Sequence, residues 1–196
     1  KFEPPRSSLV TRWLARAGGP PLKLLWFAGQ ALHFRALMRW KDDLAKLARR
    51  QHLVLDLVAR PSAEVEAGVR QFNELGISAT LHPWSLAAME QRFAACDLVL
   101  LPTDSKNNHT FTASPNRLVS ALWSGRFPIA GVIPSYLELK EFTWIGESPC
   151  EGIRWALTRP NEVRERLRAG QDYVTREFST ETISKQWLDV FTKQLA

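Results

Sequence analysis

Cysteine is nearly absent from this chain. The 196 residues hold two, Cys96 and Cys150, too few for a disulfide framework and in neither a CxxC nor a metal-site spacing. A reducing, cytoplasmic setting is the expectation. No apolar run approaches the ~20 residues of a membrane span. The opening KFEPPRSS has no apolar stretch of the kind a signal peptide carries, so none is expected there. It also lacks an initiator Met, and the chain is expected to be a piece of something longer. Neither a Walker lysine motif nor a GxGxxG fingerprint occurs, which argues against a P-loop NTPase and an ordinary dehydrogenase. His, Cys, Asp and Glu nowhere fall at metal-ligand spacing, so no metal is expected. No Ser/His/Asp or Cys/His set stands out. Fixed-period repeats and low-complexity tracts are missing too.

Charge of one sign is in modest excess: 26 Lys and Arg against 20 Asp and Glu, a net +6. Nucleic acid, a membrane face or an anionic small ligand would each fit it. The basic residues are scattered, with no lysine tract and no RGG-like segment, so nucleic acid is not expected. Contact with a membrane surface stays open, but nothing points to it. What the chain does have is apolar mass. Hydrophobic residues make up 45% and charged ones 23%, ordinary for a globular domain and enough at this length to bury a sizeable core. Eight tryptophans are many, and most are expected as core or interface anchors.

Residues 1–21, with their PP and GGPP clusters, read as a linker. Short apolar runs then alternate with helical patterns. LKLLWFA (22–28) ends at Gly29, and ALMRWKDDLAKLA follows with Leu37, Trp40, Leu44 and Leu47 at helical spacing. LVLDLVA (53–59) is the second strand. Ser62 caps a helix with Val65, Val69 and Phe72 on its apolar face, Glu64 and Glu66 in its first turn and Gly76 as its stop. ISATLH (77–82) is the third strand. Ser85 opens a helix whose Leu86, Met89 and Phe93 are expected inward. DLVLLP (97–102) is the fourth strand. TASPNRLVSALWSGRFPIAG (112–131) supplies a helix and a fifth, and a helical piece around 136–142 and a TWI strand follow. Strands that are apolar on both faces and separated by helices imply a parallel sheet covered on both sides. The expected fold is α/β, a Rossmann-like doubly wound sheet of order 3-2-1-4-5-6. From 149 onward the chain reads as all helix, a helical cap and return helix on a nucleotide-binding domain of residues 22–148.

In that order strands 1 and 4 are neighbours at the switch point, where ligands bind outside the carboxyl ends. Two loops meet there, Gly29–Phe34 and Thr103–Ser114. The second is long and almost wholly polar, a length associated with function. It runs into a helix read with Ser114 as N-cap, Pro115 at the first position, Leu118, Ala121 and Leu122 toward the sheet, and Gly125 as the stop. A well-capped crossover helix explains the cap by itself. A helix N-terminus beside that loop also offers free N–H groups to an anion, and Asn116 and Arg117 lie on its first turn. The stretch reads as a diphosphate seat.

This order of features resembles the C-terminal, donor-binding domain of GT-B glycosyltransferases, across most of residues 22–196. Within that fold it is closest to the large retaining, metal-independent group that uses nucleotide-sugar donors. Strand four ends in a proline, DLVLLP. SALWSGRFPIAG is similar to the group's ExxxxGxPV, and PSYLEL to the segment that begins with Pro and carries an acidic residue, here Pro134 and Glu138. One departure stands out. The group's E-x7-E pair falls on Thr112 and Ser120, and both carboxylates are gone; the helix start instead resembles a variant reading S-P-N-R.

The resemblance implies a site. Arg117 and Asn116 would stabilise charge on the departing diphosphate. Gly29, Gln30, His33, Asp104, Lys106, Ser114 and Glu138 would bind the donor. Trp84, after strand three, would help hold the base, although a packed core tryptophan is the competing reading. For Gly29 the competing reading is a simple loop glycine, for His33 a capping or surface histidine, and for Lys106 a solvated charge. It further implies a nucleotide-diphosphate sugar as donor, no cofactor, an N-terminal acceptor-binding domain that this chain lacks, and a last helix that crosses back to that domain. The expected function is therefore the donor-binding half of a glycosyltransferase, inactive alone. A non-catalytic nucleotide-sugar-binding module and half of a GT-B-type epimerase are the alternatives. Apolar surface is expected to lie open along residues 179–196.

Overall fold

The computed structural model describes residues 20–29, 32–104 and 112–195. Six parallel strands form one sheet in the order β3-β2-β1-β4-β5-β6, the order expected. They are β1 (Leu22–Ala28), β2 (Leu53–Ala59), β3 (Ser78–Pro83), β4 (Leu98–Leu101), β5 (Phe127–Ala130) and β6 (Trp144–Ile145). β1 and β2 run in full register from Leu22 beside Leu53 to Ala28 beside Ala59. Helices cross between the strands: α1 (Leu32–Arg39) and α2 (Lys41–Ala48), α3 (Ala63–Glu74), α4 (Leu86–Ala95) and α5 (Asn116–Trp123). Beyond β5 lie the single turn α6 (Pro134–Leu137), then α7 (Pro149–Thr158), α8 (Pro160–Glu177) and α9 (Thr180–Leu195).

The core follows from the strands' composition. Every side chain of β4 and β5 is buried, and β1 exposes only Lys23 in part. Trp26 is fully buried at its centre, edge-on to Phe34 with ring centroids 5.6 Å apart. Edge-to-face rings of this kind add about 0.5–1.5 kcal/mol beyond the area they bury. Asp97 joins β4 to β1: its carboxylate accepts from the Lys23 N–H at 2.8 Å, and its own N–H donates to the Lys23 carbonyl at 2.7 Å. Helix α3 packs on α1 through Gly68, where a Cβ would collide with the Phe34 ring.

Caps and stops explain the helix ends. Ser62 and Ser85 accept from the N–H groups of Val65 (3.3 Å) and Ala88 (3.1 Å) as N-caps. Gly76 and Gly125 end α3 and α5 with φ of +81° and +65°, the left-handed region that glycine enters without strain.

The structure departs from the sequence expectation at three places. The helix around Trp40 is two helices, because the Trp40 N–H donates to the Leu37 carbonyl at 2.9 Å, a tight turn; that turn lets Leu37, Trp40 and Leu44 all reach the core. Leu86 does not face inward but is 69% exposed, because it is the first residue of α4. Ser114 does not cap α5. The helix begins at Asn116, Pro115 occupies the N-cap with φ −74° and ψ 3°, and no side chain caps the first turn. Ser114 sits one residue too early to reach the N–H groups it was expected to satisfy.

Candidate functional site

A cleft of about 1720 Å³ opens at the carboxyl ends of β1 and β4 and continues between α4 and α5 toward the α8–α9 joint. Gly29 and His33 line it from the end of β1 and the start of α1, and Thr103 from the end of β4. Trp84, Leu86, Met89 and Phe93 form the α4 wall; Ser114, Arg117 and Ser120 form the α5 wall. Tyr136 of α6 closes the back.

Local bonds fix this mouth. The Thr103 hydroxyl donates to the Val132 carbonyl at 3.5 Å, and the Ser135 hydroxyl to the Ala113 carbonyl at 2.6 Å. The loops after β4 and β5 are thereby tied, and α6 is held against the approach to α5. Gly131 is required at this junction. A Cβ there would meet the Thr103 side chain and lie 2.8 Å from the Thr103 backbone nitrogen.

Arg117 dominates the electrostatics. Its guanidinium carbon lies 5.5 Å from the centroid of the Phe27 ring. Nε and Nη2 are out of solvent contact and have no hydrogen-bond partner among the described residues, although the residue as a whole is only half-buried. Burial lowers its pKa, and the neighbouring Tyr136 works weakly the other way. Tyr136 is 1% exposed. Burial raises its phenol pKa, and Arg117 draws it back down. Burial, and secondarily the Arg117 cation, bring His33 from 6.5 down to about 4. His33 is therefore a neutral imidazole at neutral pH, with one ring nitrogen donating and the other accepting. A cation with two unpartnered nitrogens, an uncapped helix start and a neutral imidazole around one cleft are the ingredients of an anion site.

The expected residues divide into groups. Gly29, His33, Trp84, Ser114 and Arg117 all line the cleft. Trp84 is 54% exposed at the rim rather than packed in the core. Asn116 and Glu138 are exposed and do not line it. Asp104 forms an ion pair with Arg39 of α1, which ties the loop after β4 to α1. Gln30 and Lys106 lie outside the described residues. Tyr136 and Phe27 were missed. Tyr136 stands in the PSYLEL segment, where attention fell on the acidic residue two positions later. Phe27 looked like one more strand residue. Among the described residues no group of three or more His, Cys, Asp or Glu is placed to hold a metal ion.

No family model matches the chain, and no curated protein does. Solved structures do. HepE from Anabaena, described in complex with UDP and glucose, superposes with a TM-score of 0.72 at 15% identity, covering 97% of this chain and 53% of its own. A glycosyltransferase from Rickettsia africae gives 0.71 at 11% identity, covering 95% and 52%. The chain thus spans about half the length of these proteins. The C-terminal domain of LpcC, a group 1 glycosyltransferase from Francisella tularensis, gives 0.59 at 12% identity and is covered over 96% of its length, against 91% of this chain. The six-stranded order and the helical tail of this chain thus make a fold similar to that of the C-terminal domain of this glycosyltransferase.

Proposed function

We propose that this chain is the donor-binding half of a glycosyltransferase and that its cleft holds a nucleotide-diphosphate sugar. The observation that carries this reading is the Arg117 guanidinium at the switch point of the sheet, two of whose nitrogens are buried without a partner among the described residues. A buried cation without a counter-ion is costly, and a diphosphate supplies one. The first-turn N–H groups of α5 add a second favourable term. On bond cleavage the same groups would stabilise the charge growing on the departing diphosphate. HepE, at 15% identity, is described with UDP and glucose bound, so UDP is the first probe. Trp84 at the rim offers an exposed aromatic face to the base.

The acceptor would come from a second domain. Ile183, Trp187, Leu188, Val190 and Phe191 of α9 are all at least 37% exposed. Such a concentration of apolar surface marks an interaction site, and we assign it to the other half. A non-catalytic binding module remains the second reading, favoured by Thr112 and Ser120 standing where the resembled group carries carboxylates.

Titration calorimetry tests the proposal. UDP is expected to bind the chain, Arg117→Ala to weaken it about tenfold, and the difference to shrink as salt rises. Failure of UDP to bind, or equal affinity in the variant, would overturn the reading.

A further inference from the structure

The cleft is longer than a diphosphate seat needs, and its far part has a different character. Helices α4 and α5 are neighbouring crossovers on one face of the sheet, yet they make no extensive contact with each other. The gap between them belongs to the cleft and is bounded by Phe27, Met89, Phe93 and Trp123, with the small side chains of Ala94 and Ser120. Phe27 and Phe93 pack edge-on, with centroids 5.2 Å apart. At the far end Arg126 is already engaged, its guanidinium donating to the carbonyls of Phe93 and Ala94. Arg117 is at the crevice end, with two nitrogens that have no partner. The groove therefore pairs a cation that has two unpartnered nitrogens with a largely apolar surface, although Glu90, Ser120 and Ser124 line it too.

We propose that this groove takes an amphiphile with a phosphate or diphosphate head and an apolar tail. The head sits on Arg117, and the tail lies between α4 and α5. Charge sets the orientation, because Arg126 is already satisfied. Length sets the tail: the eight residues of α5 span about 12 Å, enough for roughly eight to ten carbons. The inference rests on the Arg117 anion seat and not on the nucleotide reading. A nucleotide and an amphiphile sharing that seat would compete.

The test uses three probes on the whole chain: inorganic diphosphate, geranyl diphosphate and geraniol. Each buried methylene is worth about a fourfold gain, so geranyl diphosphate is expected to bind at least tenfold tighter than inorganic diphosphate after the cost of ordering its tail. Ala94→Phe, at an exposed position on the far part of α4, fills the groove away from Arg117. It should remove that gain while leaving inorganic diphosphate binding unchanged, and the unchanged value also shows that the variant is folded. Equal affinity for the two diphosphates overturns the proposal. So does a gain that survives Ala94→Phe, or geraniol binding as tightly as its diphosphate. UDP in parallel separates the two readings. UDP binding without a geranyl gain removes this inference alone, a geranyl gain without UDP binding removes the nucleotide reading alone, and no binding of any diphosphate removes both.

Discussion

Replacing Arg117 by Met should make the unliganded protein more stable. The guanidinium has two nitrogens out of solvent contact and without a partner, and an uncompensated buried charge costs several kcal/mol. The face of Phe27 at 5.5 Å returns part of this, about 0.5–2 kcal/mol for a cation over a ring. Methionine has a similar length, no charge, and the flexibility to fill an irregular gap. The net expectation is a gain of about 1–3 kcal/mol. For a domain of this size 1 kcal/mol moves the melting temperature about 2–4 °C, so the variant should melt higher than the parent by several degrees. UDP reverses the order. At a hundred times its dissociation constant a ligand adds about 2.7 kcal/mol to the form that binds it, and the variant should gain almost none of that. Thermal unfolding followed by circular dichroism, with and without UDP, measures both effects. An unliganded Arg117→Met protein that melts below the parent refutes the argument, because Arg117 would then be satisfied in a way that these contacts do not contain. An equal UDP shift in both proteins refutes the link from that cost to binding.

His33 should make stability fall on acidification. Its folded pKa of about 4 lies below the ordinary 6.5, so between those values the unfolded chain holds the proton and is favoured, while above 6.5 the group contributes nothing. The full difference is about 3 kcal/mol, cut to about 1–2 by solvent around a half-buried ring; urea melts at pH 7 and 4.5 should show it, and His33→Gln should flatten it. Ser62→Ala should cost about 1 kcal/mol because it removes a cap, whereas Ser114→Ala should cost almost nothing; equal losses in chemical denaturation would contradict the observed start of α5. Gly131→Ala should lower stability by about 1–3 kcal/mol through overpacking against Thr103. It should also weaken UDP binding, since the strained junction carries the cleft mouth, and a variant that melts and binds like the parent would remove that junction from the site.

The sheet was legible because its signals are local and repeated. The central strands are short runs apolar on both faces, as LVLL of β4 shows, and such runs suit a doubly covered parallel sheet. Caps and stops were legible wherever one residue makes one bond, as at Ser62, Ser85 and Gly125. Ser114 failed because Pro115 competes for the same turn, and a one-residue difference in where the chain turns decides which residue caps. Leu86 failed because periodicity assigns a face but not the point at which the sheet beneath a helix runs out. The break at Trp40 lies in a pattern that is helical throughout, and burial of the large indole decides it.

The site was legible in its chemistry and less so in its geometry. A polar loop, a helix start and an arginine on the first turn were enough to single out Arg117, which lines the cleft. They were not enough to say which side chains hold that arginine, because Phe27 comes from β1 and Tyr136 from α6, far apart in sequence. The missing carboxylates and the partnerless cation are two aspects of one arrangement. Ser120 lies one helical turn from Arg117, lines the same cleft, and spends its hydroxyl on the Asn116 carbonyl at 2.8 Å. A glutamate in that position would be at the i,i+3 spacing at which opposite charges pair. With serine there, Tyr136 is the one titratable group among the described residues whose charge moves the Arg117 pKa. On the proposed reading the neutralising charge comes from outside, and a diphosphate suits a cation beside an uncapped helix start. An arginine already matched within the protein would gain little from a ligand, whereas Arg117, with two nitrogens unpartnered among the described residues, would gain those bonds from a bound anion.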